Sequence, residues 1–277
     1  MHPIQPKTPA AAALPPFDKY FYYAHSVQAP DENMEFLRDM YFEQRRPRHN
    51  LILREDFCGT FANSIAWVML DPQHVAHGLD LDPEPIAYGR AQYLPHLPAE
   101  AAARLHISEG DVLTSPLVPC DIAAALNFSY CFFRDRKTLG HYFRRVFESV
   151  AADGLFVLDL LGGPFYNAPN EHELELEDPH PFSYFLEQHS YDPITADARY
   201  SIHFKRPGEA KRKHVFAYTF RLWTVPELRD LLLEVGFSKV VVYWEGTKRD
   251  GSGDGVWRPT AVGDPSDSWL TYIVALK

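Results

Sequence analysis

A chain of 277 residues that is 46% hydrophobic and 14% aromatic carries enough apolar surface for one buried core with a small satellite, so an extended or disordered protein is excluded. Its formal charge of −10 argues against a sequence-independent grip on nucleic acid, which needs clustered Lys and Arg to displace counterions from phosphates. Three cysteines, Cys58, Cys120 and Cys131, form no C-x-x-C pair; that excludes a disulfide framework or a zinc ribbon and points to a reducing cytoplasm.

Residues 1–16, rich in Ala and Pro, read as a disordered tail. Their five-residue Ala/Leu run is too short for a signal-peptide core, and no later run is long enough to span a bilayer. Residues 17–49 read as an N-terminal helical cap. Its aromatic cluster, Phe17 to His25, offers Tyr20, Tyr22, Tyr23 and His25 as a lid, and Asp31 caps a helix with Met34, Leu37, Met40 and Tyr41 on its packed side. Arg45, Arg46, Arg48 and His49 form a solvated linker.

Leu51, Ile52 and Leu53 make a strand buried on both faces, interrupted by Arg54, for which an ion pair with a local acid is expected. Phe61, Ile65, Val68 and Met69 recur downstream at helical spacing. Between strand and helix lie Glu55, Asp56, Phe57, Cys58, Gly59 and Thr60, a turn whose glycine lets a ligand approach the backbone at a helix N-terminus. A second strand, Val75 to Asp82, ends in acids, with Asp80 roughly 20 residues beyond Gly59, the spacing at which a carboxylate meets an adenosine ribose. Asp82-Pro83-Glu84 opens the next helix. A third strand, Leu105 to Ile107, leads into Glu109-Gly110-Asp111-Val112, and a fourth, Asp121 to Leu126, leads into Asn127-Phe128-Ser129-Tyr130. Polar groups thus collect at the carboxyl ends of four successive strands.

These motifs, in this order from Asn50 to Lys277, resemble the class I S-adenosylmethionine-dependent methyltransferases. Glu55-Asp56-Phe57-Cys58-Gly59-Thr60-Phe61 matches that family's acid and glycine-rich turn, and Arg54 to Thr60 resembles the phrase of a bacterial small-molecule subgroup. Phe57 and Phe61 stand where the family has glycines; side chains there restrict φ and narrow the approach to the methionine part of the cofactor. The resemblance implies S-adenosylmethionine as cofactor, with Glu55, Phe57, Cys58 and Gly59 around the methionyl moiety and Asp80 and Leu81 at the ribose. It places Asp111 and Val112 at the adenine and Asn127 and Phe128 beside the transferred methyl. It further implies a Rossmann-like α/β fold with a seven-stranded mixed sheet in the order 3-2-1-4-5-7-6 over residues 50–163 and 224–277.

Arg134 to Asp153 reads as an amphipathic helix stopped by Gly154, and Leu155 to Leu161 as a fifth strand. At Gly162-Gly163-Pro164 the rhythm breaks. Glu171 to Asp178 reads as an acidic loop, and Pro181 to Tyr191, Arg199 to Lys205 and Val215 to Trp223 as three strands, so that residues 164–223 form a small antiparallel β insertion over the active site. In the last of these, Phe216, Tyr218, Phe220 and Leu222 share one face and Ala217, Thr219, Arg221 and Trp223 the other. Tyr20, Tyr23, Tyr130, Arg221 and Trp223 are the substrate-side expectations. Thr224-Val225-Pro226-Glu227 is a capping box for a helix ending at Gly236; Val240 to Trp244 and Trp269 to Leu276 are the last strands, joined by a Gly/Asp/Pro-rich loop over residues 246–268.

Methyl transfer from a sulfonium needs alignment and desolvation rather than a triad, and no single residue stands out as base. His74 with His77, and Glu171-His172-Glu173, lack a third ligand at motif spacing, so no metal is expected. Two other readings share these features. A nicotinamide-dependent oxidoreductase predicts Gly-x-Gly-x-x-Gly in place of Phe-Cys-Gly-Thr-Phe, and a non-catalytic binding or dimerisation module is motivated by Phe57 and Phe61. The expected partners are a small-molecule N or O methyl acceptor and a second copy of the chain in a homodimer, with neither nucleic acid nor membrane.

Overall fold

A computed structural model describes residues 15–177, 180–248 and 253–277. The tail assigned to residues 1–16 therefore lies, for its first fourteen residues, outside the described residues. No described helix is long and apolar enough to cross a membrane.

Two helices precede the first strand: α1 (Lys19–Val27), capped by the Asp18 carboxylate, which accepts from the Tyr20 and Phe21 N–H groups at 3.0 Å, and α2 (Pro30–Gln44). Proline rather than Asp31 opens α2, with Asp31 in the first turn, where a negative charge favours the helix dipole. Met34, Leu37, Met40 and Tyr41 are all buried, as their spacing predicts. The linker cations are not simply solvated. Arg48 binds Asp121, and Arg45 donates to the Lys277 carbonyl at 2.8 Å, tying the linker to the sheet.

The strand–helix alternation follows as β1 (Ile52–Asp56), α3 (Ala62–Leu70), β2 (Val75–Asp80), α4 (Pro83–Gln92), α5 (Ala99–Ala102), β3 (Leu105–Glu109), β4 (Cys120–Ala125), α6 (Arg136–Ser149) and β5 (Val150–Gly162). Of the residues expected to pack along α3, Phe61 and Val68 are buried and Ile65 is half-buried, but Met69 is 53% exposed, and Trp67 and Ala66 take its place in the core. A second correction concerns Gly154, which lies inside β5 rather than stopping α6. A Cβ there would sit 2.7 Å from the Asp121 carbonyl, so the glycine serves the close approach of β4 to β5 at the register shift between Cys120 and Ile122.

β6 (Asn170–Leu176), β7 (Phe182–Tyr191), β8 (Asp197–Lys205) and β9 (Arg212–Arg221) build a separate four-stranded antiparallel sheet. The stretch expected to be an acidic loop is thus its outer strand. The chain returns through α7 (Val225–Val235), whose Thr224–Glu227 capping box has both arms formed and which Gly236 closes at φ 122°, and then β10 (Lys239–Thr247), β11 (Gly253–Thr260) and β12 (Trp269–Leu276). The large sheet runs β11-β10-β12-β5-β4-β1-β2-β3. Among the described residues it has eight strands rather than seven: the expected order is kept, and β11, inside a stretch read as a loop, adds an antiparallel edge beside β10.

The parallel strands β1, β2, β4 and β5 carry apolar side chains on both faces. Leu53, Ile122, Ala124 and Val157 pack under α2 and α3, while Ala123, Phe156 and Leu158 pack under Tyr142, Phe143 and Val146 of α6. Burying each large side chain of this kind contributes roughly 1.5–3 kcal/mol, and this packing holds the strand ends in one row. Arg54 lies within it, 1% exposed, forked onto Asp56 at 2.9 and 3.2 Å. The Tyr142 hydroxyl also donates to Asp56 at 2.8 Å, so the expected ion pair is present and fully buried.

Candidate functional site

The row of strand ends opens into a cavity of about 820 Å³, within the size range of small-molecule sites. Its floor is the rim of the large sheet, its roof one face of the small sheet, and α1 closes one side.

On the rim, Gly59 adopts φ +52°, and a Cβ built on it would meet nothing within 4 Å, so its backbone faces open cavity. Its N–H donates to the Asp80 carboxylate at 2.7 Å, and the other Asp80 oxygen accepts from the Asp82 N–H at 2.8 Å. Burial pushes the Asp80 carboxyl above its ordinary range. Leu81, beside it, is 67% exposed, an unusual placement for leucine that leaves an apolar face on the rim. Asp111 folds onto the Leu113 N–H at 2.8 Å, and Asp111 and Val112 both line the cavity.

At the two turn positions where the sequence resemblance expects glycine, the chain holds side chains. Phe57 and Phe61 both hold left-handed conformations, φ 61° and 52°, which cost a residue with a Cβ roughly 1–3 kcal/mol. Phe57 borders the cavity and packs against Phe133 and Tyr142, with ring centroids 5.8 and 5.6 Å apart. Phe61 points the other way, wholly buried, and does not narrow the cavity. Its ring fills the space above Gly89 of α4, where a Cβ would approach to 2.5 Å.

Glu55 is 5% exposed and lies beneath the turn rather than on the cavity wall. It accepts from the Asn63 side chain at 2.9 Å and from the Ser64 N–H and hydroxyl at 3.0 and 2.6 Å, fixing the N-terminus of α3. Burial raises its carboxyl to about 7 against the pull of these donors. Glu55 does not line the cavity, contrary to the expectation that it meets the methionyl moiety, and instead anchors the turn above it.

Asn127, Phe128 and Ser129 line the cavity. Asn127 and Phe128 are both left-handed, φ 57° each, and their successive N–H groups converge on Asp159 at 2.7 and 2.9 Å, an anion nest filled by a carboxylate of the chain itself. Asp159 was not among the expected site residues. It lies near the carboxyl end of the buried run of β5, is 7% exposed and borders the cavity; burial raises its carboxyl to about 7 although both nest N–H groups favour the charged form. The signal available in the sequence was a lone acid inside Leu155 to Leu161, the counterpart of Arg54 in β1.

Among the substrate-side expectations, Tyr20 and Tyr23 line the cavity from α1, and burial with the nearby Asp159 carboxylate pushes the Tyr23 hydroxyl up to about 12. Tyr130, Arg221 and Trp223 do not line it. Tyr130 is fully buried and donates to the Asp159 carbonyl at 2.8 Å, bracing that strand end. Arg221 pairs with Glu227 at 2.8 Å and lies 3.9 Å over the Trp223 ring, on the side of β9 turned away from the cavity. The facing side carries Phe216, Tyr218 and Phe220, joined by Tyr184 and Leu186 of β7 and Tyr200 and Ile202 of β8. The alternation was read correctly, but the opposite face meets the cavity. One further polar atom, the Gln28 side-chain oxygen, is buried in the cavity wall with no hydrogen-bond partner among the described residues, an acceptor available to a ligand.

Among the described residues, Glu171, Glu187 and His203 bring potential metal-ligand atoms within 4.8 Å of one another on the small sheet. The hydrogen bonds oppose ligation. His203 Nδ1 accepts from the His214 N–H at 2.7 Å, so the neutral ring carries its proton on Nε2 and donates it to Glu187 at 2.8 Å, while Lys211 occupies Glu171 at 2.5 Å.

No family model matches the sequence, and no curated protein matches it. Solved structures do match in fold. A S-adenosylmethionine-dependent methyltransferase from Clostridium acetobutylicum aligns with a TM-score of 0.66 at 14% identity, covering 94% of this chain and 99% of its own. An amino pentose methyltransferase from Micromonospora echinaspora, solved with S-adenosylmethionine bound, gives 0.66 at 15%, over 96% and 100%. A sugar N-methyltransferase from a Streptoalloteichus species gives 0.64 at 16%, over 100% and 99%. The chain has the Rossmann-like fold of these methyltransferases, aligned over nearly its whole length.

Proposed function

We propose that the protein is a S-adenosylmethionine-dependent methyltransferase acting on a small molecule. The observation that carries this reading is the lip of the cavity: an open-faced Gly59 in a left-handed turn, bonded through its N–H to Asp80. Each Asp80 oxygen already accepts one backbone N–H and keeps a lone pair for a ribose hydroxyl. Exposed Leu81 gives an adenine an apolar surface, and the free half of Asp111 suits its exocyclic amine. When bound, the cofactor supplies a methyl carbon on a positively charged sulfur whose departure leaves a neutral thioether. The chain's part is to hold this group and the acceptor in line and to exclude water, which an aromatic roof does well.

Calorimetric titration with S-adenosylmethionine and with S-adenosylhomocysteine tests the reading. Binding of both is expected, and absence of both refutes it. Incubation with metabolite pools and cofactor, followed by a search for mass gains of one methyl group, identifies the acceptor.

A further inference from the structure

The charged side chains that reach the cavity are Asp80, Asp82, Asp111 and Asp159; among the described residues lining it there is no Lys, Arg or His. Twelve aromatic rings share the wall. Of the four acids, three lie on the rim given above to the cofactor. Asp159 is set apart, on β5 beneath Tyr23, and Tyr23 in turn lies within electrostatic reach of Tyr184 and Tyr218 of the roof.

An anionic acceptor, such as a carboxylate or phosphate ester, would give up its hydration here and find only like charge. A cation finds the opposite, since aromatic faces attract it by their quadrupoles and a buried carboxylate pairs with it directly. The groups facing Asp159 from the elements packed on it are Tyr23 of α1, Tyr130 and Cys131 after β4, and Tyr272 of β12, so no cation among the described residues neutralises it. Both of its oxygens are held by nest N–H groups, which fixes the carboxyl in place yet leaves lone pairs toward the cavity.

Resting on the methyl-transfer reading above, we infer that the acceptor is a primary or secondary amine carried on an apolar, ring-bearing skeleton, with Asp159 receiving its proton. An amine entering as ammonium gives one proton to Asp159. Its freed lone pair then forms the C–N bond as the carbon–sulfur bond of the cofactor breaks, the bonding electrons staying on sulfur and the positive charge passing to the methylated nitrogen. The raised carboxyl of Asp159 suits this exchange near neutral pH.

The test uses the full chain saturated with S-adenosylhomocysteine and three probes of one shape: 2-phenylethylamine, 2-phenylethanol and 3-phenylpropionate, titrated by calorimetry. The amine is expected to bind at least about tenfold tighter than the alcohol, as for one charge-assisted hydrogen bond, and tighter again than the acid. In Asp159→Asn the amine loses about that factor while the alcohol keeps its affinity within about threefold. A failure of the amine to bind, equal binding of the alcohol, or preference for the acid overturns the inference; the wild-type series alone decides it even if the variant does not fold. Loss of S-adenosylhomocysteine binding instead refutes the underlying methyl-transfer reading.

Discussion

β1 and β5 each carry a buried acid near the carboxyl end, Glu55 and Asp159, and burial lifts both carboxyls to about 7, yet the two serve different ends. Glu55 takes three donors from one helix and stands off the cavity wall, so its oxygens are committed to holding α3 and the turn above it. Asp159 takes two backbone N–H groups from a left-handed pair and still borders the cavity. A raised carboxyl therefore does not by itself mark chemistry. What separates scaffold from site is where the donors come from and what the remaining lone pairs face.

The sharpest way to break this contrast is Asp159→Asn, expected to slow methyl transfer to an amine by about 10²–10⁴-fold in single-turnover assays, the usual worth of a positioned proton acceptor. A rate within threefold of wild type would move Asp159 to the scaffold side. Glu55→Ala should act on stability instead. Leaving Asn63, Ser64 and the start of α3 without their acceptor is expected to cost about 3 kcal/mol in urea unfolding. Asp80→Ala should weaken S-adenosylhomocysteine binding by about 1–3 kcal/mol with little change in unfolding.

A pH series sharpens the same comparison. Glu55 and Asp159 keep protons in the folded chain that the unfolded chain releases near pH 4, so over pH 5 to 7.5 the unfolded state binds fewer protons and stability falls as pH rises. The urea midpoint should drift down across that window, and less steeply in Glu55→Gln. The smallest effect is expected for Phe57→Gly. Release of left-handed strain offsets the packing lost against Phe133 and Tyr142, leaving stability within about 1 kcal/mol of wild type by the same assay.

The rim of the large sheet was legible in the sequence because backbone geometry dictates it. A turn at Gly59, an acid at Asp80 and another at Asp111 follow strands whose apolar runs are unmistakable. The small sheet was legible only in part. Asn170 to Leu176 sets Glu171, Glu173 and Glu175 opposite His172, Leu174 and Leu176, and as a largely exposed outer strand with only two leucines it reads as an acidic loop. β11 hid among Gly, Asp and Pro for a similar reason. Alternation in β9 fixed which residues travel together but not which face turns inward, because that depends on α1 and the rim, far away in the chain. Arg221 and Trp223 looked like ligand contacts on chemistry alone and are occupied with Glu227 and with each other. Asp159 was missed because one acid in an apolar run reads as an interruption, not as a destination.

Helix α1 is fastened to both halves of the cavity. Asp18 accepts from Tyr88 at 2.8 Å and Lys19 pairs with Glu84 at 2.6 Å on one side, while Tyr22 packs on Phe182 and Tyr23 on Phe216 on the other. The cavity wall is therefore written in two distant stretches of the polypeptide, an early helix and a late sheet, whose side chains pack against each other as well as lining the space between. Reshaping the cavity by exchanging the roof alone would leave that helix docked against strangers, and a successful graft has to move the two together.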